Sequence, residues 1–277
     1  MAVLLAKPTS PHEHVNDLHG DLVNLAMVLA SDRAADLYDR LQRTLYTEDL
    51  FRAAKIAFIH ENPQPPESPQ AVETHHVARA YVYFVVSWIG RNGVSGTQRC
   101  NYQMAVRWTP GGGGGGRRFI TAVESIPTWH ERLRNVVILR RDGVEVIDKI
   151  EDCPGVVIYA DPPYLKHTRG DGGGSVYAHD FDSIDHTRLA AALGRFQHAR
   201  VVVSYYDDDA LSELYPPPRW THRRVYRNKN LHVQNRRGGK GAIAPEVLLI
   251  NGPSLAADRA SEPAGLFPIT DAPEADE

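Results

Sequence analysis

The sequence predicts an α/β fold: a sheet with helices on both faces and a mainly helical lobe inserted into it. Three observations lead there. From Val136 onward short apolar runs and helical patterns alternate, at Val136 to Leu139, Val144 to Ile150, Val156 to Ala160, Asp185 to Phe196, Arg200 to Ser204, Asp208 to Leu214 and Glu246 to Ile250. Such alternation marks strand–helix units built around a common sheet. Ahead of it, residues 18–89 carry apolar side chains mostly at helical spacing. Between the two lies a stretch rich in glycine and arginine, and the 277 residues suffice for a core domain plus an inserted lobe.

Taken in order, Leu22, Leu25, Met27, Val28 and Leu29, then Leu37, Leu41 and Leu45, recur at the helical period, with Ser31-Asp32 and Thr44 to Glu48 as caps. Proline-rich Asn62 to Pro69 breaks the pattern. Val72 to Ile89 resumes it as another helix, ending at Gly90-Arg91-Asn92-Gly93. Residues Val94 to Phe119 have few apolar runs, and Gly111 to Gly116 is an uninterrupted glycine stretch that reads as a flexible tip. It lacks the Lys-Ser or Lys-Thr that makes a phosphate-cradling loop.

Composition excludes several classes. Hydrophobic residues at 42% and charged residues at 23% fit a globular chain and not a disordered one. No run approaches the roughly 20 apolar residues of a membrane span, and the start lacks a signal-peptide pattern, so the chain reads as cytoplasmic with no membrane partner. Cys100 and Cys153 are too few for a disulfide framework, and no CxxC suggests zinc. His75-His76 and His12-x-His14 lack the i, i+4 spacing of a zinc enzyme, so no metal is expected. A net charge of −3 does not announce a nucleic-acid binder, and the distribution of charge must decide that point.

Chemistry concentrates after Val156-Val157-Ile158-Tyr159-Ala160, a run typical of a buried central strand. It delivers Asp161-Pro162-Pro163-Tyr164 to the strand's carboxyl end, where α/β sheets bind ligands. The two prolines stiffen the turn, Asp161 supplies an acceptor and Tyr164 a flat aromatic face. These groups suit methylation of an exocyclic amino nitrogen, whose lone pair is delocalised until its hydrogens are held. The Asp161 carboxylate and the Pro162 carbonyl can each accept one N–H and aim the lone pair at a methyl sulfonium. A base in a duplex must flip out to reach such a pocket, and Tyr164 stacking offsets about 1–3 kcal/mol of the cost. The plainer alternative is a rigid Asp-Pro-Pro turn closing a strand.

These residues resemble the DNA adenine methyltransferases that carry Asp-Pro-Pro-Tyr after a target-recognition insert, over roughly residues 2–251. A second anchor is Val15-Asn16-Asp17-Leu18-His19-Gly20-Asp21-Leu22-Val23-Asn24, similar to that family's short second strand and following helix. A third is Val137-Ile138-Leu139-Arg140-Arg141-Asp142. The resemblance implies a Rossmann-like methyltransferase sheet and S-adenosylmethionine as cofactor, with Asp17 on the ribose hydroxyls, Asp142 on the adenine amino group and Asp161 also counted among the cofactor contacts. It implies Asp161, Pro162, Pro163 and Tyr164 as the catalytic pocket, and the chemistry of restriction–modification systems. The lesser alternative for Asp17 is an acid opening a helix, whereas a turn before Gly143 explains Asp142 equally well.

Domain boundaries follow from the same likeness: residues 1–50 open the catalytic domain, 51–134 form the target-recognition insert, 135–252 continue the catalytic domain and 253–277 form a disordered tail. In the insert, Arg91, Asn92, Arg99, Arg107, Arg117 and Arg118 interleave with Asn101, Tyr102 and Trp108, and double-stranded DNA is the implied partner, with no obligate protein partner evident. A second basic stretch, Arg219 to Lys240, adds Arg227 and Lys229 and reads as a mobile loop along the DNA backbone. Solvated charged faces are the alternative for each cluster. The family opens with a lysine-containing glycine segment, a strand and a Phe-x-Gly-x-Gly turn, none of which stands here, so a longer natural polypeptide is expected. A non-catalytic DNA-binding remnant is the competing function, and amino-methylation of cytosine or of RNA a related one.

Overall fold

The structure is a computed structural model that describes residues 2–60, 75–90, 104–106, 114–169, 179–228 and 243–252. It is mixed α/β, with small sheets, and divides into two compact units: residues 1–143 with 174–179, and residues 144–173 with 180–277. No helix among the described residues is long and apolar enough to cross a membrane.

The first unit contains α1 (Ala2–Ala6), β1 (His14–Asn16), α2 (Gly20–Ala30), α3 (Ala34–Gln42), α4 (Glu48–His60), α5 (His75–Ile89), α6 (Gly115–Glu124), α7 (Ile126–Leu133) and β2 (Val137–Leu139). β1 and β2 pair in parallel, His14 opposite Val137 and Asn16 opposite Leu139. The sequence explains the helices locally. The His19 ring caps α2 by accepting the Leu22 N–H at 3.3 Å, and Ser31 closes it by donating its hydroxyl to the Val28 carbonyl at 2.9 Å. Asp21, in the first turn of α2, pairs with Arg79 of α5. α5 is the hub of the core: Ala80, Phe84, Val85 and Ile89 are completely buried, and Phe84 meets the Phe119 ring edge-on at 5.9 Å. Glu13, also buried, accepts both terminal nitrogens of Arg132, at 2.5 and 2.7 Å, and the ammonium of Lys7.

The glycine tip needs a correction. Gly114 caps α6, and Gly115 and Gly116 are its first helical residues; 111–113 lie outside the described residues. A Cβ on Gly115 would overlap the Tyr46 hydroxyl, which donates to the Ala105 carbonyl at 2.8 Å. A side chain at that position would have to push the Tyr46 ring away from this bond.

The second unit holds α8 (Gly143–Ile147), which opens at its boundary, then β3 (Val157–Ala160), a 3₁₀ turn at Lys166–Arg169, α9 (Ser183–Gly194), β4 (Arg200–Tyr206), α10 (Leu211–Leu214), β5 (Trp220–Asn228) and β6 (Ile243–Asn251). The sheet order is β3-β4-β6-β5, with β3 and β4 parallel and the other two pairings antiparallel. Asp182 starts α9 with a reciprocal capping box: its carboxylate takes the Ile184 and Asp185 N–H groups while Asp185 accepts from the Asp182 backbone. Period-two alternation decides the core: Val201, Val203 and Tyr205 of β4 are completely buried with Val247 and Leu249 of β6, packed with Leu189 and Leu193 of α9. Side chains on the opposite face, Val202, Leu248 and Ile250, are half-buried. Asp152 fixes the approach to β4 by accepting three N–H groups, of Gln197, His198 and Ala199, each at 2.8 Å, and these bonds hold its carboxyl below the ordinary range.

Two further expectations change. Residues 220–228, assigned to a mobile basic loop, form strand β5, which pairs with β6 along its whole length; an edge strand accommodates charges that a central one would not. The apolar run before Asp161 is a strand as expected but not a fully buried one: Val157 is 69% exposed and Tyr159 42%, because among the described strands β3 pairs with β4 alone.

Candidate active site

Asp161 leaves the carboxyl end of β3. The last registered pair is Ala160 with Val203, which places Asp161 opposite Ser204 of β4. The Ser204 hydroxyl donates to Asp161 Oδ1 at 2.8 Å, and the Tyr159 hydroxyl donates to Ser204 Oγ at 3.3 Å. The turn is pinned on both sides by the core: Ile158 is buried before it, Pro162 within it and Leu165 after it. Thr168 adds two bonds to the Leu165 carbonyl, from its amide at 3.0 Å and its hydroxyl at 2.8 Å, and His167 Nε2 lies 2.7 Å from Asp208 Oδ2.

Tyr164 stands half-buried among aromatic rings. Its ring meets Tyr206 edge-on at 4.5 Å and Tyr205 at 6.0 Å, and the series continues through Tyr215 to Trp220. Beneath it the Tyr205 hydroxyl lies 2.9 Å from Nδ1 of the buried His186. Burial, then the neighbouring Asp161 charge, pushes the Tyr164 phenol well above its ordinary acidity range, so it stays neutral. Burial and then Glu246 push Tyr206 the same way. The site thus presents a carboxylate held on one oxygen, a rigid proline backbone and an uncharged aromatic surface.

The other proposed cofactor contacts lie in the first unit, and the structure brings Asp17 and Asp142 to one end of the β1–β2 pair. Asn16 does this: its amide donates to the Arg141 carbonyl at 2.9 Å while its carbonyl accepts the Arg141 N–H at 2.9 Å. Asp17 Oδ1 accepts the His19 N–H at 2.7 Å, and a hollow of about 30 Å³ beside it is walled by Val15, Leu22, Val23 and Ala26. A larger hollow, about 450 Å³, lies at the amino end of β4 between Phe196 and Arg200, far along the sheet from Asp161. Sheets of this kind act at the carboxyl ends of parallel strands, so size does not make it the site.

Of the expected DNA contacts, Arg117 and Arg118 are exposed in the first turn of α6. Arg227 belongs to β5, whereas Arg91, Asn92, Arg99, Arg107 and Lys229 lie outside the described residues. Sequence reasoning missed Tyr159, Ser204 and Tyr206. The one signal available was a hydroxyl interrupting the apolar run Val201-Val202-Val203 at the strand's carboxyl end.

The family model for D12 class N6 adenine-specific DNA methyltransferases matches residues 1–228. The chain belongs to this family. It is therefore a member of an enzyme family that methylates adenine in DNA, and Asp161 to Tyr164 lie within the matched residues. No curated protein matches the chain.

Proposed function

We propose that the chain transfers a methyl group from S-adenosylmethionine to the exocyclic amino nitrogen of an adenine flipped out of duplex DNA, within the pocket formed by Asp161, Pro162, Pro163 and Tyr164. The observation that carries this is the Asp161 carboxylate, held on one oxygen by Ser204 beside a neutral, half-buried Tyr164. A carboxylate in that place offers an acceptor for an amino N–H, and the Pro162 carbonyl a second. Holding both hydrogens withdraws the nitrogen lone pair from the ring and aims it outward. Tyr164, backed by Tyr205 and Tyr206, gives the extruded base a stacking surface that does not charge at neutral pH.

Asp17 and Asp142 have the chemistry to hold the adenosine half of the cofactor: acceptors at the carboxyl ends of adjacent parallel strands suit ribose hydroxyls and an adenine amino group. When bound, S-adenosylmethionine supplies an electrophilic methyl group on sulfonium. Residues 51–134 read the target in this account, with Arg117 and Arg118 on phosphates. Calorimetric titration with S-adenosylmethionine tests the cofactor half: one site per chain is expected, weakened when Asp17 is replaced by alanine. A wild-type titration indistinguishable from buffer would overturn it.

A further inference from the structure

Ser204 is 3% exposed within a strand whose neighbours are valine and tyrosine. A hydroxyl buried there costs about 1–3 kcal/mol unless it is bonded, and valine has the better strand propensity. Its bonds therefore matter. Register explains them: Tyr159 lies opposite Val202 and Ala160 opposite Val203, so Tyr159, Asp161 and Ser204 project from one face at adjacent positions. A serine has one proton to donate, and the 2.8 Å contact with Asp161 Oδ1 uses it. The 3.3 Å contact from Tyr159 then occupies a lone pair and steers that proton toward Asp161. The Tyr164 phenol also adjoins Ser204, where its O–H can donate to the remaining Oγ lone pair.

We propose that Ser204 is a positioning residue for methyl transfer: by occupying Oδ1 of Asp161 it leaves Oδ2 to accept the adenine amino hydrogen, and Tyr159 holds Ser204 in the donating orientation. This rests on the assignment of Asp161 as the acceptor for the target amino group. An aspartate on a turn has two side-chain torsions, and a carboxylate displaced by about 1 Å from its productive place costs about 100-fold in rate. Anchoring one oxygen to a buried strand residue removes that freedom without consuming the oxygen the substrate needs.

The test measures kcat and KM for DNA in the wild type, Ser204→Ala, Ser204→Thr and Tyr159→Phe. Ser204→Ala is expected to lower kcat by about 10- to 100-fold with KM little changed. Ser204→Thr, which keeps the donor, restores most of the rate, and Tyr159→Phe, at a partly exposed position that tolerates the change, gives a smaller loss in kcat. Wild-type kcat in Ser204→Ala, or a loss expressed in KM alone, overturns the positioning role. If the wild type transfers no methyl group, the functional assignment fails instead, and the crystal structure of Ser204→Ala decides positioning. A rotated Asp161 carboxylate supports it, and Oδ1 within about 0.5 Å of its wild-type place overturns it.

Discussion

Replacing Asp161 with alanine is expected to reduce methyl transfer by about 1,000-fold while leaving DNA binding and the fold intact. The magnitude follows from removing one preorganised hydrogen-bond partner of a developing charge, a change that costs about 10²- to 10³-fold in comparable sites. Here it also deprives Ser204 of the group that takes its proton. The fold survives because the turn is anchored by Ile158 before it and Leu165 after it, and Asp161 itself is exposed. Asparagine is an informative second variant: it keeps one acceptor, but its NH₂ faces either Ser204 or the substrate amino group, so a loss close to that of alanine is expected. Methylation within about tenfold of wild type in the alanine variant would remove Asp161 from the mechanism.

The largest effect on stability is expected at Glu13. Its carboxylate is buried against Arg132 and Lys7, and alanine would leave the half-buried Arg132 guanidinium without its counter-charge. Breaking one side of such a pair costs about 3–5 kcal/mol, read from the urea midpoint of the first unit's transition. The pH dependence carries a sign. The hydrogen bonds from Arg132, opposed by burial and aided by Lys7, lower the Glu13 carboxyl from 4.5 to about 2. A folded-state value below the unfolded one means the contribution is fully present above about 4.5 and is lost as pH falls toward 2. Wild type should therefore lose stability more steeply than Glu13→Gln below that point. Parallel curves would show that the pair contributes nothing through titration.

How much of this was legible in the sequence differs from element to element. The strand ending at Ala160 and the rigid turn after it were readable, because a β-branched run followed by two prolines leaves little alternative. The exposure of Val157 and Tyr159 was not, since an apolar run does not reveal whether its strand has one neighbour or two. β5 was hidden by Arg223, Arg224 and Arg227, whose charge suggested a loop although Trp220, Thr221, Val225 and Tyr226 are all good strand formers. Gly115 looked structureless because its constraint, the Tyr46 hydroxyl, comes from a residue 69 positions away. Ser204 was missed for the same reason: its meaning lies in the register between β3 and β4, 43 residues apart in sequence, which no local pattern encodes.

In the proposed function the Asp161 turn presents an adenine amino nitrogen to a methyl donor. Incubating the purified chain with duplex DNA and methyl-labelled S-adenosylmethionine, then separating the nucleosides by chromatography and mass spectrometry, tests it most directly. Label in N6-methyladenine is the predicted result; label in N4-methylcytosine, or none in DNA at all, would contradict it.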